Sequence, residues 1–166
     1  MINCLCHSQK DYFMCCEPYL TGKKYPESPE TLMRSRYTAY TQANIDYIKK
    51  TMRGKALMGF DELEARRWAN RVHWIKLTVF ASFMEDSTHA YVEFEASFID
   101  DAYVKSLHEK SNFSYEQGQW YYISGTHLPP TLSKKRISLN TTCPCGSLKK
   151  YKNCVVLQGL LSKERG

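Results

Sequence analysis

The strongest constraint on this chain is a phrase it carries twice. Cys4–Cys16 reads CLCHSQKDYFMCC, and Cys143–Val155 reads CPCGSLKKYKNCV. Both place cysteines at positions 1, 3 and 12; the first adds one at position 13, where the second has Val155. Cys4, Cys6, Cys15 and Cys16 form two close pairs separated by a short turn, so four thiolates can close on one ion as a tetrahedron. The soft donor set suits zinc, with iron as the next candidate. Two other readings stand beside it: a pair of disulfides, and four unliganded thiols. Seven cysteines is an odd number, which argues against a full disulfide framework. Small exposed clusters of free thiols oxidise readily. Cys143, Cys145 and Cys154 make an incomplete second set, since Val155 cannot ligate. Three thiolates still hold zinc if water, a partner's group or a nearby side chain such as His127 takes the fourth place. The alternative is a decayed knuckle that binds metal weakly or not at all. No general base accompanies the second site, so catalysis is not expected there.

Between the phrases the pattern is first helical, then alternating. Ser28 is a suitable N-cap, followed by Pro29 at the first helical position and Glu30 in the first turn. The helix runs through TLMRSRYTAYTQ, with Leu32, Met33, Tyr37 and Tyr40 roughly along one face. A second helix is expected from about Asn44 to Gly54. Asp61 and Glu64 form a capping box for a third. The period then changes to two: Ile75, Leu77, Val79, Ala81 and Phe83 make one apolar face, and Ala90, Val92, Phe94, Ala96 and Phe98 another. Strands are expected next at Lys105–Glu116 and Gln119–Ser124, joined around Gly118. Helices followed by antiparallel strands give an α+β domain with the helices on one face of the sheet. The stretch HLPPTLSKKR reads as a linker, because paired prolines cannot continue a central strand. The expected organisation is a knuckle at 1–24, an α+β domain at 25–132, and a basic linker with the second knuckle at 133–166.

Charge is concentrated in that last segment. Residues 133–166 hold eight basic side chains and one acid, a net +7, while residues 1–132 hold 15 basic and 16 acidic groups, a net −1. Charge runs usually only solubilise, but this asymmetry marks the tail as the place for an acidic partner. No run of 18 apolar residues exists, so no helix is expected to span a membrane. The start has no charged region followed by an apolar stretch, so a cytoplasmic protein with reduced thiols is expected. Nothing in the sequence points to DNA.

The second phrase resembles the SEC-C motif, the zinc knuckle at the carboxyl end of the translocation ATPase SecA, whose usual pattern is C-P-C-G-S-G-K-K-[YF]-K-x-C-[CH]. Leu148 and Val155 depart from it. The first phrase keeps all four sulfurs, Ser8 and Tyr12, with Leu5 and His7 in place of the Pro and Gly. The whole layout is similar to the YchJ family: a knuckle at each end, LMRSRYTAY at Leu32–Tyr40, LHEKSNF at Leu107–Phe113 and GQWYYISG at Gly118–Gly125. The resemblance implies a middle domain of the nuclear-transport-factor-two-like (NTF2-like) kind, a curved sheet wrapped around helices as a cone. It implies metal but no settled activity. In SecA the similar knuckle contacts the acidic export chaperone SecB and ribosomes, which implies partners of that type.

Arg34, Arg36, His108 and Glu109 are polar candidates for the interior of the cone. Arg34 and Arg36 lie two apart on a helix and cannot both face the core; a structural ion pair with Glu109 is the expectation for one of them. His108 and Glu109 are neighbours on a strand, so they point to opposite faces and are no catalytic pair. No phosphate loop, nucleophile elbow or paired-carboxylate signature is present. The leading expectation is an adaptor that meets an acidic macromolecule through Lys149, Lys150 and Lys152 of the second knuckle. The alternatives are an enzyme or small-ligand binder using the cone's interior, and RNA or ribosome binding through the basic knuckle.

Overall fold

The computed structural model describes residues 1–154 and Val156. Two short helices follow the first knuckle turn: α1 (Glu17–Leu20) and α2 (Pro29–Thr41). Ser28 caps α2 as expected, its hydroxyl accepting from the Thr31 amide at 3.1 Å. Leu32, Met33, Ser35, Arg36, Tyr37, Thr38 and Ala39 of α2 are all buried, so this helix is central to the core. Asn44 caps α3 (Ile45–Lys50), which ends before Gly54. The chain leaves it to pair with the sheet: the Tyr122 amide donates to Thr51 O, and the Arg53 amide to Tyr122 O, both at 2.9 Å. Backbone bonds to a strand replace the last expected helical turn, and Gly54 begins an additional helix, α4 (Gly54–Met58). Asp61 caps α5 (Glu62–Arg71) by accepting from the Glu64 amide. The Glu64 carboxylate pairs with Arg67 at 3.0 Å, so only half of the capping box forms.

Four long strands follow: β1 (His73–Met84), β2 (His89–Asp100), β3 (Tyr103–Glu116) and β4 (Gln119–Leu128), in an antiparallel meander of order β1-β2-β3-β4. One face of β2 is Ala90, Val92, Phe94, Ala96 and Phe98, as its alternation required, and all but Phe94 are buried. On β1 the expected face is broken. Register shifts lie between Trp74 and Lys76 and between Val79 and Ala81. A bulge inserts one residue and so switches the face of everything beyond it. Trp74, Leu77 and Val79 therefore join the helix-side core, while Ile75 packs on the opposite face. Phe83 lies opposite Tyr91, its ring 5.6 Å away, and is exposed. A further shift between Asn112 and Phe113 pairs Phe113 with Tyr122 and Asn112 with Ser124.

Of residues 127–136, expected to be a linker, His127 and Leu128 finish β4 and the rest is strapped to the back of the sheet. Glu95 on β2 accepts from the Thr131 amide at 2.6 Å and from its hydroxyl at 2.8 Å. A two-residue strand, β5 (Lys135–Arg136), pairs with Val104 and Tyr103 of β3 in the space that β4 has vacated. Ile137 then joins Ile99, Tyr151, Cys143, Cys154 and Val156 in a second apolar cluster on this back face. The paired prolines do end β4, but the following backbone finds hydrogen bonds on the sheet instead of in solvent.

Candidate metal centres

The two phrases fold as one structure offset by 139 residues. In each, a lone bridge closes the turn: Asn3 with Asp11, and Thr142 with Lys150. The Cys4 amide donates to Lys10 O at 2.9 Å, and the Cys143 amide to Lys149 O at 2.8 Å. A one-turn 3-10 helix follows in both, Tyr12–Met14 and Tyr151–Asn153. Ser8 Oγ lies 3.2 Å from Cys15 Sγ, and Ser147 Oγ lies 3.4 Å from Cys154 Sγ. The turn needs left-handed backbone at two places. Gly146 (φ 84°) and Leu148 (φ 60°) take them in the second copy, and His7 (φ 60°) and Gln9 (φ 63°) in the first. The glycines of the usual SEC-C pattern are thus explained by backbone sterics. Three of these four positions carry a side chain at some conformational cost.

The first set gathers Cys4, Cys6, Cys15 and Cys16 with every Sγ within 4.8 Å of the others. Cys6 and Cys15 are 3.6 Å apart, and Cys15 and Cys16 3.9 Å. Sulfurs roughly 2.3 Å from a tetrahedral zinc lie about 3.8 Å apart. None of the seven cysteines is in a disulfide. Cys4, Cys6 and Cys16 are buried in the main core beside Leu32, Met33 and Tyr37. A surrounding layer of polar groups orients the sulfurs. Thr38 of α2 donates to Cys16 Sγ at 3.4 Å. Arg34 Nη1 donates to Cys6 O at 2.9 Å while its Nε holds Glu30 at 2.8 Å. The thiols do not share one acidity. S–H donors from Cys16 and Cys4 hold Cys6 far below the ordinary thiol range, and burial chiefly pushes Cys15 up to about 11. A bound cation would favour the thiolate form of every ligand and release protons on binding.

The second set gathers Cys143, Cys145 and Cys154. Cys145 and Cys154 are 3.5 Å apart. Burial pushes Cys143 up to about 12; it acts against the Ser147 hydroxyl and the Val156 amide at Cys154, which is nonetheless held down at about 7. Val155 lies outside the described residues. His127 is not the fourth group: it sits on β4 opposite Glu109, its Nδ1 3.8 Å from Glu109 Oε2, and does not join the cluster. Tyr151, fully buried, fixes the knuckle to the sheet's back and donates to Asp101 O at 3.0 Å. Lys149, Lys150 and Lys152 are exposed on this turn. The two knuckles, at opposite ends of the chain, share one cleft of about 450 Å3, where Cys145 faces Asn3, Leu5 and His7.

The interior residues separate as their spacing required, though not with the expected partner. Arg36 points inward and Arg34 toward the first knuckle. Arg36 forms no ion pair with Glu109; its Nη1 donates to Ile48 O at 2.8 Å and Thr51 Oγ1 at 2.6 Å, and its guanidinium lies 4.6 Å from the centre of the Tyr122 ring. Tyr122 stands between them and donates its own hydroxyl to Glu109 at 3.0 Å. His108, on the other face, lies 2.8 Å from both Pro129 O and Glu93 Oε1. The strap contacts of Thr131, Pro129 and Ile137 lie outside what local periodicity gives. The buried acid Glu95, flanked by apolar strand residues, was the available signal for them.

An antiparallel sheet backed by helices, with cysteine knuckles toward both chain ends, defines an NTF2-like domain elaborated by cysteine turns that could hold metal. Residues 28–125 match the family model for the YchJ middle NTF2-like domain, and residues 140–154 match the SEC-C motif. The chain is 40% identical over 154 residues to the UPF0225 protein YchJ of Shigella dysenteriae serotype 1, covering 91% of this chain and 95% of that one. It belongs to the YchJ family. Similar solved structures include two described as SEC-C motif containing proteins. The solution structure from Rhodopseudomonas palustris has a TM-score of 0.71 at 36% identity, covering 77% of this chain and all of that one. The crystal structure from Psychrobacter arcticus has a TM-score of 0.63 at 28% identity, covering 92% and 93%. No described helix is long and apolar enough to cross a membrane.

Proposed function

We propose that this protein is a zinc-carrying adaptor of the cytoplasm. In this reading the first knuckle is a structural zinc site, and the second presents Lys149, Lys150 and Lys152 to an acidic protein partner. The observation that carries it is the second knuckle's construction. The lysines lie between Cys145 and Cys154 on a turn closed by backbone bonds and anchored through buried Tyr151, so little ordering entropy is lost when they meet a partner. The all-sulfur donor sets favour zinc over harder divalent ions. Reduced thiols suit a compartment without disulfide formation.

Capture from cytosol tests the proposal. The intact protein is expected to retain a defined acidic protein, and the variant K149E/K150E/K152E to lose it with an almost unchanged melting temperature. Undiminished capture by that variant would sink the proposal. RNA is the rival outcome, recognised by log affinity falling linearly with log salt. Metal analysis should find zinc at one equivalent or more, with the first equivalent lost in Cys4→Ser.

A further inference from the structure

The interior of the domain holds a feature that the knuckles do not use. Between α2, α5 and the sheet lies a cavity of about 180 Å3. Its walls are largely aromatic, including Tyr40, Trp68, Trp74 and Phe94. These four side chains are only half-buried, so the cavity communicates with solvent. An apolar cavity of about 150 Å3 is enough to take benzene.

Three polar groups interrupt this lining. Arg36 is 7% exposed and forms no ion pair among the described residues. Its charge is disfavoured by burial, and only one of its nitrogens, Nη1, is engaged by neutral oxygens. The Glu109 carboxylate favours the Arg36 charge through space but makes no direct contact with it, and burying guanidinium N–H groups without acceptors is costly. Trp74 Nε1 is a buried donor with no acceptor, the only such side-chain atom among the described residues. Buried polar groups in folded proteins are nearly always paired, so each exception asks for a reason. Glu109, the third group, is already engaged: Oε1 accepts from Ser111 at 2.6 Å and Tyr122 at 3.0 Å. That carboxylate occupies the place of a side chain at residue 125: a Cβ on Gly125 would sit 2.4 Å from Glu109 Oε1 and 2.5 Å from the Tyr122 hydroxyl. Glycine at this position therefore leaves the room that Glu109 and Tyr122 need to meet. What the cavity lacks is an acceptor turned to Arg36 and Trp74, because Glu109, the carboxylate in its lining, is directed to Ser111 and Tyr122.

We infer that the cavity is a binding site for a small, flat carboxylate, its acid group answering the Arg36 guanidinium and the Trp74 indole N–H and its apolar body lying among the aromatic walls. Arginine matches a carboxylate in both shape and charge. The site shares Tyr37 and Trp74 with the cleft between the knuckles but none of their cysteines.

The probes are benzoate, benzyl alcohol and benzamidine: one ring size carrying an anionic, a neutral and a cationic group. Binding to the full chain is followed by tryptophan fluorescence, since Trp68 and Trp74 line the site. Benzoate is expected to bind saturably and at least tenfold more tightly than either of the others. Arg36→Met should erase that preference. Ala96→Leu, which places its added carbons into the cavity from the β2 wall, should abolish binding of all three while circular dichroism and melting show a folded protein. This second variant keeps the test sound if Arg36→Met fails to fold. Equal binding of benzoate and benzyl alcohol, preference for benzamidine, binding unaffected by Ala96→Leu, or no binding at millimolar benzoate would each overturn the inference.

Discussion

The two knuckles share a backbone and differ in what that backbone is built into. The first is part of the principal core: Cys4, Cys6 and Cys16 touch the same cluster as Leu32 and Tyr37, and α2 supplies Thr38 and Arg34 to its sulfurs and carbonyl. The second is a cover on the back of the sheet, attached through Tyr151, Cys143 and Cys154 to Ile99 and Ile137. The copy inside the core has the complete set of four sulfurs, and the copy on the surface has three and carries the lysines. A metal whose ligands are core residues is coupled to global folding. One whose ligands sit on a peripheral cover can weaken while the domain stays folded.

The largest test of that contrast is ligand removal. Cys16→Ser should lower the melting temperature by more than about 10 °C, because it disrupts both the candidate metal set and the core. Cys145→Ser should cost markedly less. Thermal melting of the two variants side by side checks this, and equal losses would show that the knuckles are equally integral.

Next in size is the anchor of each knuckle. Tyr151 is fully buried and its counterpart Tyr12 is half-buried, bonded through its hydroxyl to Gln42 at 3.1 Å. Tyr151→Ala should cost about 3–5 kcal/mol, as for other buried aromatics, and should expose the back of the sheet to a hydrophobic dye. Tyr12→Ala should cost visibly less in chemical denaturation.

The strap that carries the second knuckle gives a pH-dependent test. His108 has an acceptor at each ring nitrogen, so both must be protonated to satisfy them. The Pro129 carbonyl chiefly raises its pKa, against burial and with help from Glu93. A group whose folded pKa is raised contributes stability that is fully present below the unfolded value of about 6.5 and is lost as pH rises through the folded value. His108→Gln should therefore destabilise the protein more at pH 5.5 than at pH 8.5, measured by urea denaturation. A pH-independent difference would mean that the contact acts only by packing.

The smallest expected effect lies in the turn itself. Leu148→Gly relieves a left-handed leucine at φ 60° and should stabilise the second knuckle by about 1 kcal/mol. It is read best as slower amide exchange at Cys143 and Tyr151, whose N–H groups close the turn.

What the sequence alone determined was local and periodic. The duplicated cysteine spacing located both knuckles. Ser28 and Asp61 marked helix starts, and alternation along β2 identified its buried face. The opposite orientations of His108 and Glu109 followed from strand geometry, and those of Arg34 and Arg36 from helix geometry. The tertiary structure decided the rest, because the deciding contacts join residues far apart in the chain. The β1 bulges moved Ile75 and Phe83 out of the face that alternation assigns them, since a bulge is set by the partner strand's register and not by the bulged sequence. The apparent linker became a strap because Glu95, 36 residues earlier, needed donors that Thr131 could supply. Arg36 turned to the carbonyl of Ile48 and the ring of Tyr122 and away from the carboxylate of Glu109. The two cysteine phrases, at opposite ends of the sequence, came to face one cleft only because the strap returns the chain across the back of the sheet.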